Sequence, residues 1–441
     1  MAPDPKIIKA VEQLGYRVTV GDVATKAGFK VSMAEQGLLA LASDAGGHLQ
    51  VSESGEIAYL FPKNFRSILR NKFLRIQLQE WWEKVWRILF YLIRISFGLL
   101  LLLSIVLILL AISIILISIQ SSSDNDNSGG GGSSRSGGGF FFMPYFWGPD
   151  LFWFFDPYYY DGRTQRQRRA SQSSEPRQLN FLEAIFSFLF GDGNPNANLE
   201  ERRWQEIGNV IRNSGGAVVA EQIAPYLDNL GQGYHREYEE YMLPVLTQFN
   251  GRPEVSPEGN IVYHFPDLQT SALKQHPQPV PAYLKERLWR FSQASSGQIM
   301  LAIGLGAVNF VGALVLGSLL SSGEIASAIG GLVAFVAAIY PLLLLYGIGF
   351  LTIPLIRYFW IQWKNSKIEA RNEQRQEEAS LLNQADGNLQ QKIAYAQQFA
   401  AQNVIDAEDL AYTSETDLLD QNLERQEKID AEWQRRLESG S

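Results

Sequence analysis

The chain has 441 residues, 46% of them hydrophobic and 12% aromatic, with a formal net charge of −8. It contains no cysteine, which removes disulfides, thiolate zinc sites, thiolate-ligated iron–sulfur clusters and cysteine nucleophiles in one step. The four histidines, His48, His235, His264 and His276, form no HxH or i, i+4 pair, so metal-ligand spacing is missing too, and no enzyme activity, catalytic residue, metal or cofactor is expected.

The opening MAPDPKIIKAVEQLGY lacks the apolar stretch and small-residue cleavage site of a secretory signal, so synthesis is expected to begin in the cytosol. Residues 1–62 show helical apolar spacing in DPKIIKAVEQLG, a short strand and helix in VTVGDVATKAG, a helix in SMAEQGLLALASDAG and a hairpin in QVSESGEIAYLFP. Helix, strand, helix, helix and a two-stranded wing is a winged-helix order. Such domains often bind DNA through the third helix, but here that helix (residues 32–46) carries Glu35 and Asp44 and no Lys or Arg. Without phosphate neutralisation, nucleic acid is a disfavoured partner.

Residues 63–94 carry Lys63, Arg66, Arg70, Lys72, Arg75, Lys84, Arg87 and Arg94 against Glu80 and Glu83, a net +6. Phe65, Ile68, Leu69, Phe73 and Ile76 follow helical spacing, and Trp81, Trp82 and Trp86 lie beside Arg87. The segment reads as a basic interfacial helix on anionic lipid, held on the cytosolic side. Residues 95–119 are 25 uncharged, mostly apolar residues, more than the roughly 20 that cross a bilayer. A Gly/Ser linker (120–139) leads to an aromatic, membrane-associated segment (140–160) with 13 aromatic residues in 21, in which Pro144, Pro149 and Pro157 break any single helix. A basic linker and the amphipathic helix FLEAIFSFLF occupy 161–199. Asp192, Asn194, Asn196 and Asn198 alternate as in a calcium loop, but Arg203 stands where that loop's last ligand belongs, and a polar turn is the better reading.

Residues 200–266 repeat the first order in RRWQEIGNVIRNSGG, AVVAEQIAPYLDNL, HREYEEYMLPVLTQFNG and the hairpin EVSPEGNIVYHFP. Val51, Ser52, Gly55, Ile57, Tyr59, Phe61 and Pro62 recur 204 residues later as Val255, Ser256, Gly259, Ile261, Tyr263, Phe265 and Pro266. Trp86 and Trp289, each followed by an arginine (Arg87, Arg290) just before a span, are 203 apart. The near-constant offset predicts a duplicated module of winged domain, basic Trp-bearing linker and membrane helix, the second linker being 267–298. Spans 299–320 and 325–356 are joined only by SSGE and must form an antiparallel hairpin. Ala302 with Gly306, Ala313 with Gly317, and the quartet Ala326, Gly330, Ala334 and Ala338 offer small-residue faces for close helix packing. These runs hold no Asp, Glu, Lys, Arg or His, so a proton or ion relay is disfavoured. Positive flanks at Arg87, Arg290 and Arg357 put residues 1–87, 163–297 and the tail from 364 on one face, cytoplasmic or stromal. The acidic tail 361–441 has nine basic and 16 acidic residues and reads as solvated helix over 368–382 and 389–402, packing on the winged domains or on a partner.

From NFLEAIFSFLFGDGNPN (180–196) onward, and in LQQKIAYAQQFAAQNVIDAEDLAYTSETDLLDQ (389–421), the sequence resembles a family of cyanobacterial and plastid integral membrane proteins of unassigned activity. Some plant members carry an iron–sulfur cluster biosynthesis label, which a chain without cysteine does not support for cluster binding or transfer. The resemblance spans nearly the whole chain and implies a photosynthetic membrane, the thylakoid, with soluble domains cytoplasmic or stromal. The expected fold is a mainly α membrane protein with α+β winged-helix-like soluble domains, built on a duplicated module and ending in a helical C-terminal tail. The expected function is a non-enzymatic membrane-anchored interaction or assembly factor. A membrane-tethered DNA-binding regulator is the alternative, with a channel or carrier subunit behind it. Expected partners are membrane lipids, anionic at the basic linkers, and an unidentified membrane protein; a homo-oligomer is compatible.

Overall fold

In a computed structural model of the protein, the residues described are 4–123 except 73, 179–321 except 275, 324–405 except 385, 410–417 and scattered positions from 419 to 435. Most of the Gly/Ser linker, the aromatic segment 140–160 and the basic linker to residue 178 lie outside them. The chain begins with α1 (Pro5–Gln13), β1 (Arg17–Thr19), α2 (Val20–Ala27), α3 (Val31–Ala45), β2 (His48–Ser52), β3 (Ile57–Leu60), α4 (Phe65–Lys72), α5 (Leu74–Ser123) and α6 (Phe181–Phe190). It continues with α7 (Leu199–Asn213), β4 (Ala217–Val218), α8 (Ala220–Ile223), α9 (Tyr234–Glu237), α10 (Leu243–Phe249), β5 (Arg252–Val255), β6 (Ile261–His264), α11 (Pro266–Gln269) and β7 (Thr270–Ser271). The last elements are α12 (Ser296–Leu320), α13 (Glu324–Ile329), α14 (Gly331–Asn383), α15 (Gly387–Ala396), β8 (Asn403–Val404) and β9 (Leu410–Thr413). Helix predominates, the sheets are small, and three helices are long and apolar enough to cross a membrane. Two compact units result: Met1–Trp82 with Asn196–Arg287 and Lys367–Ser441, and Glu83–Pro195 with Leu288–Ser366.

In the first unit, residues 4–62 and 199–265 build the same small sheet. The strand orders are β1-β3-β2 and β4-β6-β5, antiparallel throughout. Leu49 pairs Tyr59 as Pro253 pairs Tyr263, and Val51 pairs Ile57 as Val255 pairs Ile261. Both turns close alike: Ser52 N donates to Glu56 O at 2.9 Å and Ser256 N to Asn260 O at 2.8 Å, while Ser52 Oγ and Ser256 Oγ accept from Glu56 N and Asn260 N. Gly55 and Gly259, at φ 84° and 85°, hold the left-handed position that a side chain would strain. The helices are less alike. In the second-half segments expected to repeat the first order, 217–230 and 235–251, the helix is broken in each case. Pro225 limits α8 to four residues and a 3-10 turn, and Glu239 at φ 53° separates α9 from α10.

The two halves are not independent. Val11, Val23, Leu38 and Leu41 belong to the same buried cluster as Ile207, Ile211, Phe249 and Phe265. At its edge Asp22, 2% exposed, accepts from Thr19 N at 2.9 Å to cap α2, from Ala272 N at 3.1 Å and from Arg212 Nη2 at 2.6 Å. One carboxylate thus caps a helix in the first half, pairs with a helix of the second and holds the strand between α11 and the membrane linker.

The acidic tail is bound to this unit by its own charges and strands. Arg375, 3% exposed, donates to Asp228 and, at 2.9 Å, to Glu286 Oε1, while Arg371 reaches both oxygens of Glu286 at 2.7 Å. Lys392 Nζ contacts Glu221 at 2.9 Å and Glu239 at 2.5 Å. Beyond α15 the helix expected to residue 402 stops at Ala396 and a 3-10 turn ending at Phe399; β8 then pairs in parallel with β7, and β9 adds to the outer edge of β2. Propensity does not announce strands this short, because their pairing partners lie more than a hundred residues away.

The second unit is a helical cluster. Leu101 of α5 packs with Phe181, Ile185 and Phe188 of α6, Ala302 of α12 and Phe350 of α14. Further along, Ile108, Ala111 and Ile115 meet Ala313, Leu316, Val333 and Val336. Helix α6 is buried over seven of its ten residues rather than along one amphipathic stripe, and at ten residues it is too short to cross a bilayer. The expected interfacial segment 63–94 is divided between α4 and α5, and α5 runs on from Leu74 without interruption through the first span. The third apolar run is instead interrupted, at Gly330 (φ 65°) and Gly331 (φ 54°), between α13 and α14.

Replacing Asp22 with Ala strands Arg212 beside a buried core and is expected to cost about 3–5 kcal/mol, as breaking one partner of a buried pair does. Arg212→Ala should cost a similar amount and the double variant clearly less than the sum, measured by denaturation of the detergent-solubilised full chain; additive losses would mean the pair does not act as a pair. The tail lock should be acid-sensitive. Burial alone would raise the carboxyls of Asp228 and Glu286, but hydrogen bonds from Arg375 and Arg371 and the nearby guanidinium charges outweigh it and hold both below the usual range. A depressed folded pKa gives stability that is present above the ordinary carboxylate pKa of about 4 and is lost as pH falls through the folded value. Protease access to the segment after Asn383 is therefore expected to rise on acidification below about pH 4, and an Arg375→Gln variant should blunt that pH dependence.

Candidate functional site

Within the first unit, a cleft of about 740 Å³ opens between α1 and α2 of the first half and α7 of the second, with Leu273, Lys274, His276 and Gln278 also lining it. The Asp22–Arg212 pair lies at its base, and Lys6 crosses it to Glu201 at 2.7 Å. These two contacts consume both acidic residues of the lining. Lys9, Lys26 and Lys274, all exposed, have no carboxylate partner among the described residues, so the cleft keeps an excess of positive charge. Apolar surface from Ala10, Leu14, Ala27 and Leu273 runs beside them. Sequence reading missed the site because its lysines come from three separated stretches, each unremarkable in charge alone.

The second unit has a polar collar. Asp192 accepts from Arg94 at 2.9 Å, from Ser187 Oγ at 2.6 Å and from Gln293 N at 2.9 Å. Arg357 donates to Phe188 O at 2.7 Å and lies 4.4 Å from the Phe291 ring centroid. A cation is thereby placed at the C-terminus of α6, where the helix dipole favours it. Asp192 is thus committed to protein donors, and in the first unit Asn196 is bonded to both the N–H and carbonyl of Arg287, at 2.8 and 2.7 Å. Among the described residues no group of three or more His, Cys, Asp or Glu could hold a metal.

The expected interface residues fall into two environments. Trp81, Trp82 and Trp86 are 57%, 56% and 51% exposed, and Arg87 is exposed on the same long helix. Trp289 is half-buried: Asn365 bonds its N–H and carbonyl, Trp360 meets it edge to face, and Lys364 Nζ lies 4.1 Å from its ring centroid. Arg290 stays exposed. The second-span residues pack closely, with Ala302 and Ala313 fully buried. A Cβ on Gly306 would fall 2.5 Å from the Phe350 ring and one on Gly317 2.0 Å from the Tyr340 hydroxyl.

The third-span quartet does not form the expected packing stripe. Gly330 is at the helix break, Ala326 is half-buried, and Ala334 and Ala338 are exposed, while Val333, Val336 and Leu343 face the other helices. The break resets the helical phase, so spacing carried across Gly330 points the wrong way. A buried polar contact stands in the same cluster: Ser104 Oγ donates to Asn309 Oδ1 at 2.7 Å, and Asn309 is fully buried.

The chain is 41% identical over 444 residues to "Uncharacterized protein At5g03900, chloroplastic" of Arabidopsis thaliana, covering 98% of this chain and 82% of the plant protein. The two belong to one family. No known family profile and no solved structure matches the chain.

Gly306→Leu and Gly317→Leu should each disrupt α12–α14 packing, since the added atoms meet rings rather than open space, at a cost of about 1–3 kcal/mol or more. Ala334→Leu is expected to be nearly neutral. Thermal unfolding in detergent ranks the three; a reversed order would restore the quartet as the packing face.

Proposed function

We propose that this protein is a non-enzymatic, membrane-anchored interaction or assembly factor whose two soluble halves are winged-helix-like copies of one duplicated module. The matching strand order, registers and turn hydrogen bonds of the two halves support the duplication. Protein contact rather than nucleic acid is supported by one observation above others: α3 exposes Met33 (52%) and Leu39 (46%), α10 exposes Leu243 (60%), and neither helix carries a Lys or Arg. DNA affinity needs cations on such a face, whereas exposed apolar side chains suit a protein surface. The three long apolar helices and the chloroplastic name of the plant relative support a plastid or cyanobacterial photosynthetic membrane, and we take the thylakoid as its site. Capture from solubilised membranes is expected to recover a defined partner that Met33→Asp with Leu39→Asp releases. Sequence-selective, salt-sensitive binding of duplex DNA to the full chain would instead establish the regulator reading.

The shared core supports a common side for the two halves. Because they bury one another's side chains, we place both on one face of the membrane. Ser256 is 5% exposed and a poor reporter; Ser54 and Glu258 are exposed at the two turns. In this cysteine-free chain, Ser54→Cys and Glu258→Cys are expected to label together from the cytoplasmic or stromal side with an impermeant thiol reagent, and Ser321→Cys only from the other. Labelling of the two turns from opposite sides would refute the arrangement.

A further inference from the structure

We propose that the basic cleft between α1, α2 and α7 is the docking groove for an acidic segment of a partner protein. The inference rests on the protein-contact reading above and names the chemistry that one surface recognises. Charge contrast carries it. The first unit holds 26 Lys and Arg against 36 Asp and Glu, yet the cleft concentrates five cations against two carboxylates, both already paired. Positive potential focused in a concave site on a negative body draws in anions and repels other parts of like proteins.

The lining also selects the kind of anion. Arg212, the sole arginine among the lining residues, is engaged with Asp22, so no guanidinium fork is free to grip a phosphate in two-point fashion. What remains is three separate, exposed lysines beside apolar surface offered chiefly by Leu14 and Leu273. That combination fits carboxylate side chains spaced along a peptide with apolar residues between them. The volume, about 740 Å³, also far exceeds a single phosphate. The cleft forms only where both halves meet, so it reports on their pairing as well as binding across it.

The test uses the full chain in detergent and a fluorescent peptide of alternating glutamate and leucine. Binding is expected at low salt, weakening several-fold as ionic strength rises to physiological values. Lys9→Glu, Lys26→Glu and Lys274→Glu combined should weaken it at least tenfold with unchanged thermal stability. The control combination Lys30→Glu, Lys63→Glu and Lys285→Glu, outside the cleft, should leave binding within twofold. Absence of peptide binding, equal loss in both variants, or cleft-dependent binding of tripolyphosphate without peptide binding would each overturn the proposal. A membrane partner captured equally well by the cleft variant would overturn it too, while leaving the broader protein-contact reading intact.

Discussion

The carboxylate of Asp22 is the point on which the first unit turns. It is buried, and burying a charge is tolerated only where hydrogen bonds and an opposite charge replace the lost water. Here the replacements come from three places in the chain: the N–H that opens α2, the guanidinium of Arg212 on α7, and the N–H of Ala272 after β7. Loss of any one donor leaves a buried carboxylate under-compensated, and loss of the carboxylate strands all three. The two halves are consequently parts of one body with one buried cluster, and the cleft between them is floored by this pair.

Charge has a second structural use in the tail. A net negative C-terminal region would ordinarily stay in solvent, and its composition alone says little more. Its few cations are the residues that matter. Arg371 and Arg375 stand one turn apart on α14, a like-charge pair that is unfavourable unless carboxylates face it, and Glu286 and Asp228 do so. Lys392 repeats the arrangement on α15 with Glu221 and Glu239. Of the acidic residues on α14, Glu369, Glu373 and Glu377 are exposed while Glu378 pairs with Arg236, so the tail is tied to the second half through its cations and this one carboxylate.

The legible parts of the sequence were those whose determinants are local. Gly55 and Gly259 fix their turns, alternating Ile, Tyr and Phe fix the faces of the hairpins, and uncharged runs fix the long helices. Contacts made across long sequence distances were hidden. The strands β8 and β9 depend on β7 and β2, and α6 reads as amphipathic yet is enclosed by helices from three parts of the second unit. Single backbone exceptions did similar damage: Glu239 and Pro225 break helices that spacing joins, and Gly330 shifts the face on which Ala334 and Ala338 lie. The cleft was illegible for the same reason as the tail strands, because no local window contains it.

The two halves share a sheet but not its edges, and the difference explains how one tail treats them unequally. Strand β2 contains no proline and presents a complete set of N–H donors along its outer edge, where β9 pairs through Gln50, Val51 and Ser52. In β5 the corresponding edge carries Pro253, which has no N–H to offer and blunts an edge against strand addition, and among the described residues no strand pairs there. The tail meets the second half through α15 instead, with Ile393 and Phe399 against Val219 and Val262. Pro253 stands where Leu49 of the first hairpin donates its N–H to Ser414 Oγ, and that loss, among several differences between the two hairpins, goes with the tail's different route over the two sheets.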